Sequence, residues 1–228
     1  MPAGQRGRKV LVGDHAGRVG EKILISGGGS SNFTNLYLDS DHYISGNPHF
    51  CKSALSRFSQ HDFVSLVEKH GVSYHERKSG QLFCDGKSRE ILSFLLEECR
   101  IAGVRIQTKC TIMKIEKEHC FTVKTNSEEY VTESFVVATG GLSMPEIGAT
   151  GFGYKVAEQF GLNVLARQPG LVPLTLSKSD QENFSDLSGI SVDAVVSCNG
   201  QSFREFILFT HRGLSGPAIL QISNYWQP

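Results

Sequence analysis

One unit recurs along this chain: an amphipathic helical stretch, a glycine, then a short strand rich in β-branched residues. Residues 59–70 read as a helix with Ser59 as N-cap and Asp62 in capping-box position. Phe63, Leu66 and Val67 form its apolar stripe. Gly71 can take the left-handed conformation that closes a helix, and Val72-Ser73-Tyr74 follows extended. Ser88 caps the next helix, which runs to about Ala102 with Ile91, Leu92, Leu95, Leu96 and Cys99 directed inward. Gly103 ends it, and Val104-Arg105-Ile106 is its strand. A third unit spans residues 154–160, stops at Gly161 and continues into Leu162-Asn163-Val164-Leu165. Alternation of this kind argues an α/β architecture.

The same grammar opens the chain in incomplete form. Gly7 stands where a helix should close, ahead of the buried-strand candidate Lys9-Val10-Leu11-Val12-Gly13-Asp14, yet only six residues precede it. A helix in such a unit runs to about ten residues or more. The pattern therefore predicts a first βα unit upstream of Met1, against the alternative of a native loop and edge strand. Between Thr111 and Ala138 the apolar period changes to two, and residues 112–116, 120–124 and 129–132 read as a three-strand meander. Residues 134–138 are a fully apolar strand candidate running into Thr139-Gly140-Gly141. This strand, residues 10–12 and residues 104–106 are expected in one mainly parallel sheet. Beyond Gly170 the texture alters, with strand candidates at 192–197 and 206–209 and a helix start at Gly216-Pro217, shortly before the chain stops at Gln227-Pro228. The division expected is 1–168 for an incomplete Rossmann-like domain and 169–228 for part of a β-rich one.

Composition narrows the class. Among 228 residues, 23 Lys+Arg balance 23 Asp+Glu, so there is no basic field for nucleic acid and no polybasic patch for anionic lipid. No apolar stretch approaches the roughly 18 residues of a membrane span, and the N-terminus lacks a signal peptide's apolar core. The expectation is a cytoplasmic globular protein with no nucleic-acid and no membrane partner. Six cysteines lie far apart with no C-x-x-C pair, so neither a disulfide scaffold nor a metal site is expected.

Three places can carry chemistry. In Ser26-Gly27-Gly28-Gly29-Ser30-Ser31-Asn32, three glycines let backbone N–H groups approach a diphosphate closely, while Ser26, Ser30, Ser31 and Asn32 add side-chain donors. A flexible turn is the competing reading. Asp14, at the carboxyl end of a strand, is either a ribose acceptor or a strand-end cap. Ala138-Thr139-Gly140-Gly141 delivers a small-residue turn to the edge where α/β sheets bind cofactors. His211 and Arg212 are the one titratable pair near Gly213-Leu214-Ser215-Gly216, which lacks the spacing of a serine-hydrolase elbow.

Together, residues 22–35, Asp14, the meander with Val136-Val137-Ala138-Thr139-Gly140-Gly141, residues 148–155 and residues 209–217 resemble the bacterial FAD-dependent aminoacetone-oxidase-like flavoproteins, a family that includes reductases of dehydro bile acids. The resemblance implies a two-dinucleotide-binding-domain flavoprotein. It implies an FAD-dependent oxidoreductase transferring hydride to a small organic molecule, with NADH or NADPH as reductant. Carried over, Asp14 would hold the adenosine ribose and Gly27, Gly28, Gly29 and Asn32 would line the diphosphate and flavin side. Ile112 would face the adenine through its backbone, and Ala138, Thr139, Gly140 and Gly141 would pass beside the cofactor. Ser30-Ser31 stands where the family pattern has Arg-Cys, and the family's chains are longer at both ends. The chain as it stands is accordingly expected to hold FAD weakly, the alternative to an active enzyme being a non-catalytic fragment.

Overall fold

The computed structural model describes residues 1–226, so Gln227 and Pro228 lie outside it. The chain divides into two units, Met1–Asn163 and Val164–Pro228. The first begins with α1 (Pro2–Gln5), β1 (Leu11–Gly13), the short helix α2 (Glu21–Ile25), a glycine turn at Ser26–Gly29 and β2 (Asn32–Asn35). Helices α3 (Lys52–Arg57) and α4 (Gln60–Lys69) lead to the hairpin of β3 (Tyr74–Glu76) and β4 (Gln81–Cys84). Then come α5 (Ser88–Ile101), β5 (Arg105–Gln107), the strands β6 (Ile112–Lys117), β7 (Phe121–Thr125) and β8 (Glu129–Thr132), and finally α6 (Phe152–Gln159).

Local chemistry sets most of these boundaries. At the start of α4 the Ser59 hydroxyl accepts from Asp62 N, and the Asp62 carboxylate accepts from Ser59 N at 2.7 Å. That is the capping box the sequence prescribes. Gly71, Gly103 and Gly161 follow α4, α5 and α6 at φ 66°, 64° and 76°. One cap differs: α5 takes Lys87 as N-cap, and the Ser88 hydroxyl instead donates to Leu24 O at 2.7 Å. The inward face of α5 also differs, because Phe94 and Glu98 are buried on it while Leu92, Leu95, Leu96 and Cys99 are only half-buried.

β1 and β5 pair in parallel, Leu11 with Arg105 through Gly13 with Gln107. β2, β4 and β3 form an antiparallel sheet in that order, and β6-β7-β8 is the expected meander. The main core lies between the β2-β4-β3 sheet and helices α4 and α5, where Val67, Cys84, Ile91 and Phe94 are buried beneath Phe33, Phe63 and Tyr74. A second core joins Ile115 and Val123 of the meander to Val156 of α6.

Three strand expectations need correction. Residues 135–138 form no strand: Phe135 packs on the meander core, but Val136 is 81% exposed. An apolar run becomes a strand only through ladder hydrogen bonds, and among the described residues no strand pairs with it. For the same reason β1, paired on one side alone, is not buried, and Val12 is 41% exposed. Leu162-Asn163-Val164-Leu165 likewise carries no strand.

The second unit contains β9 (Leu174–Thr175), α7 (Lys178–Asn183), β10 (Ser191–Cys198), β11 (Gln201–Thr210), β12 (Gly213–Ser215) and α8 (Pro217–Ile222). Its strands lie antiparallel in the order β10-β11-β12-β9. Asn199 and Gly200, both at positive φ, make the two-residue turn between β10 and β11. Ala218, Ile219 and Ile222 bury one face of α8.

Candidate functional site

Asp14 follows β1 directly, and its backbone N–H extends the parallel ladder by donating to Gln107 O at 2.8 Å. Its carboxylate Oδ1 accepts from Ala16 N at 2.9 Å, a local turn that serves as the strand-end cap. Oδ2 makes no hydrogen bond among the described residues. The backbone of Asp14 also sets its neighbours. Cys110 N donates to Asp14 O at 2.9 Å and Lys109 N donates to Ala16 O at 2.8 Å, which brings the segment leading to Ile112 alongside the aspartate.

Asn126 fixes that segment. Its Nδ2 donates to Lys109 O at 3.0 Å, and its Oδ1 accepts from Thr111 N at 2.9 Å. These bonds hold Lys109 at φ 53°, a left-handed conformation that ordinarily costs a non-glycine residue. Asn126 stands in the turn between β7 and β8, and a side chain that also pins a strand start fifteen residues upstream leaves no local signal.

The segment after residue 138 reaches the same place. The Lys22 ammonium, at the start of α2, donates to Ser143 Oγ at 2.9 Å. A Cβ on Gly148 would fall 2.5 Å from His15 Nε2, and one on Gly141 would stand 3.3 Å from Tyr154 Oη. Ala138, Thr139 and Gly140 are exposed on this loop and Gly141 is half-buried. The structure thus gathers Asp14, the approach to Ile112, and the loop after Ala138.

The glycine turn stands at the other end of α2. Gly27, Gly28 and Gly29 all adopt positive φ, at 56°, 66° and 92°, and Ser31 does so at 50°. The turn closes on itself: Ser30 N donates to Gly27 O and Ser31 N to Ser26 O, at 3.3 and 3.0 Å. Ser26 Oγ donates to Ile23 O at 2.7 Å and lies 3.2 Å from the Oγ of Ser31, which is buried. The Asn32 amide, oriented to donate, reaches Thr34 O and Leu82 O at 3.1 and 3.2 Å. These side chains shape the turn. A Cβ on Gly27 would collide with Asn32 N and the Phe83 ring, whereas Gly28 and Gly29 face open space. Left-handed backbone with no neighbour at the Cβ position fits close approach of an anionic group, and the open Oδ2 of Asp14 fits a hydroxyl donor. A groove of about 360 Å³ adjoins the turn, lined by Ser26, Ser31, Asn32, Phe33 and Phe63 among others.

Two further groups are structural. Glu98, buried on α5, accepts from Lys69 Nζ at 2.7 Å and pairs with His70 Nε2 at 2.8 Å, and these hydrogen bonds hold its carboxyl below the ordinary glutamate range. Burial pushes the Cys84 thiol up to about 11, which makes it a packed group rather than a nucleophile. Among the described residues no group of His, Cys, Asp or Glu is assembled to hold a metal, and no helix is long and apolar enough to cross a membrane.

A Rossmann-like α/β domain carrying a β-meander is the class that this fold and site define. The chain belongs to the HI0933-like Rossmann-domain family, whose model matches residues 1–206. It is 53% identical over 228 residues to the "Ribosomal RNA dihydrouridine synthase" of Escherichia coli, covering 99% of this chain and 57% of that protein. The protein of the same name from Haemophilus influenzae is 47% identical over 97% of this chain and 57% of its own length. The "3-dehydro-bile acid delta(4,6)-reductase" of Clostridium scindens is 24% identical over 95% of this chain and 54% of that protein. The chain therefore spans a little over half the length of these relatives. Of the expected resemblance, the HI0933-like Rossmann family is shown, with the dehydro-bile-acid reductase as a distant relative.

Proposed function

We propose that this chain is the FAD-binding part of a flavoprotein oxidoreductase that reduces uridine to dihydrouridine in ribosomal RNA. The observation that carries the reading is the 53% identity, over 99% of the chain, to a protein named for that reaction. Dihydrouridine is uridine with one ring double bond saturated, so the reaction requires a hydride and a proton. When bound, the flavin supplies the hydride, with NADH or NADPH as its reductant.

The protein's own residues would bind and orient. Asp14 Oδ2 would accept from the adenosine ribose, while Gly28 and Gly29 would admit the diphosphate against their backbone. Gly27, Ser26 and Asn32 would keep the turn in shape. The segment at Ile112 would pass the adenine, and Ala138, Thr139, Gly140 and Gly141 would run beside the cofactor. In this reading an RNA substrate takes the place of the small molecule that the family resemblance implies; a net charge near zero limits non-specific phosphate binding and does not decide which base a site reduces.

The test is to supply purified protein with FAD and either NADH or NADPH, add unmodified ribosomal RNA, and digest the product to nucleosides. Mass spectrometry should find uridine carrying two added hydrogens. A second reading, reduction of a small unsaturated ketone, is favoured by the 24% identity to the bile-acid reductase. Turnover of a steroid enone with ribosomal RNA left unchanged would replace the first reading by the second.

A further inference from the structure

The β2-β4-β3 sheet sets Asn32 opposite Phe83 and Phe83 opposite His75, so the three side chains share one face. Arg77, two residues beyond His75, belongs to the same face, and its N–H prolongs the pairing by donating to Gln81 O at 2.7 Å. Tyr74 and Cys84, on the opposite face, enter the core. Phe83 nevertheless is only 7% exposed, because other groups cover it. Gly27 of the glycine turn abuts the ring, where a Cβ would fall 2.8 Å from Cε1. The Arg77 guanidinium carbon lies 4.0 Å from the ring centroid. His75 stacks at 6.4 Å and 20°.

A relay fixes the guanidinium. Arg77 Nε donates to His75 Nε2 at 3.1 Å, and His75 Nδ1 lies 2.7 Å from Asp85 Oδ1. With Nε2 accepting, the His75 proton is on Nδ1 and is donated to Asp85. Nε is thereby used for orientation, while both Nη groups make no hydrogen bond among the described residues. Arg77 itself is exposed. A planar guanidinium held by one edge and open at the other is suited to two phosphate oxygens at once. The residue that follows the glycines is Ser30, so the turn's own sequence supplies no cation.

We propose that Arg77 and the backbone of Gly28 and Gly29 form one anion site that takes a diphosphate, with Phe83 as the platform both share and His75 and Asp85 as positioning residues. The proposal rests on the flavin reading only for whose diphosphate it is; pyrophosphate itself satisfies the chemistry.

The experiment titrates the purified chain with inorganic pyrophosphate, followed by ³¹P line broadening or calorimetry, and with FAD in a parallel series. The wild-type chain should bind pyrophosphate saturably. Arg77→Ala should weaken it on the order of 10–100-fold, the scale of a charge-assisted contact. Arg77→Lys should fall between, keeping the cation over Phe83 without the fork, and His75→Phe should lose less than Arg77→Ala. Circular dichroism should show the variants folded as the wild type is. Equal pyrophosphate affinity in wild type and Arg77→Ala, or no saturable binding by wild type, overturns the proposal. Arg77-dependent pyrophosphate binding with no FAD binding leaves this site standing and removes the flavin reading. FAD bound equally by wild type and Arg77→Ala does the reverse.

Discussion

Leu82-Phe83-Cys84 and Phe135-Val136-Val137-Ala138 are short apolar runs of similar character, and the fold treats them oppositely. The first is the middle strand of a three-stranded sheet backed by two helices, with Leu82 and Cys84 each 1% exposed. The second forms no strand; Phe135 is anchored on the meander while Val136 is 81% exposed and Val137 38%. Hydrophobicity is equal to the task in both. What differs is the supply of partners on both sides, since backbone polar groups can enter a core only when a ladder satisfies them.

The largest effect that tests this contrast is truncation in the two runs. Leu82→Ala should cost about 2–5 kcal/mol of stability, while Val136→Ala should stay within about 0.5 kcal/mol. Urea denaturation of the two variants measures both, and similar losses would break the comparison. The glycine turn repeats it on a smaller scale. Gly27→Ala meets Phe83 and Asn32 at a left-handed φ and should lose well over the strain of about 1–2 kcal/mol that Gly28→Ala, facing open space, pays alone. Equal melting temperatures for the two would show that Phe83 yields freely.

Glu98 sharpens the contrast through pH. Glu98→Gln removes the charge that Lys69 and His70 address and should cost about 1–3 kcal/mol at neutral pH. Because the folded-state pKa of Glu98 is lowered, its contribution is present above the unfolded value and is lost as pH falls through the folded value. The wild type and Glu98→Gln should therefore converge in stability on acidification; a gap that persists in acid would place the effect in packing. A smaller loss is expected for Ser59→Ala, which opens the capping box of α4 and should cost about 1 kcal/mol by thermal melting. No loss there would mean that burial of α4 alone fixes its start.

The cap of α4 and the ends of α4, α5 and α6 were legible because they are local; the start of α5 was not, since Ser88 turns to Leu24 O and leaves Lys87 as N-cap. Ser59 with Asp62, and the glycines after α4, α5 and α6, act within a few residues of their own position. The meander was legible for a related reason, since period-two alternation with turn residues between runs pairs neighbours in sequence. Glu98 was not legible, because an acid on an amphipathic helix reads as solvent-facing until Lys69 and His70 arrive from another helix. Asn126 is the same case, defined by Lys109 and Thr111 from the segment before the meander.

The chain by itself therefore determined how α4 begins, where α4, α5 and α6 end, which runs alternate in the meander, and that Gly71, Gly103 and Gly161 turn the backbone left-handed. Those are consequences of dihedral preference and nearest-neighbour hydrogen bonding. Only the tertiary structure decided which apolar runs became strands, that Gly27 is held by Phe83 while Gly28 and Gly29 stay open, and that Asp14 shares a neighbourhood with the approach to Ile112 and the loop after Ala138. Each of these depends on what a distant segment offers at the same point in space, and that supply of partners is what short-range physics cannot specify.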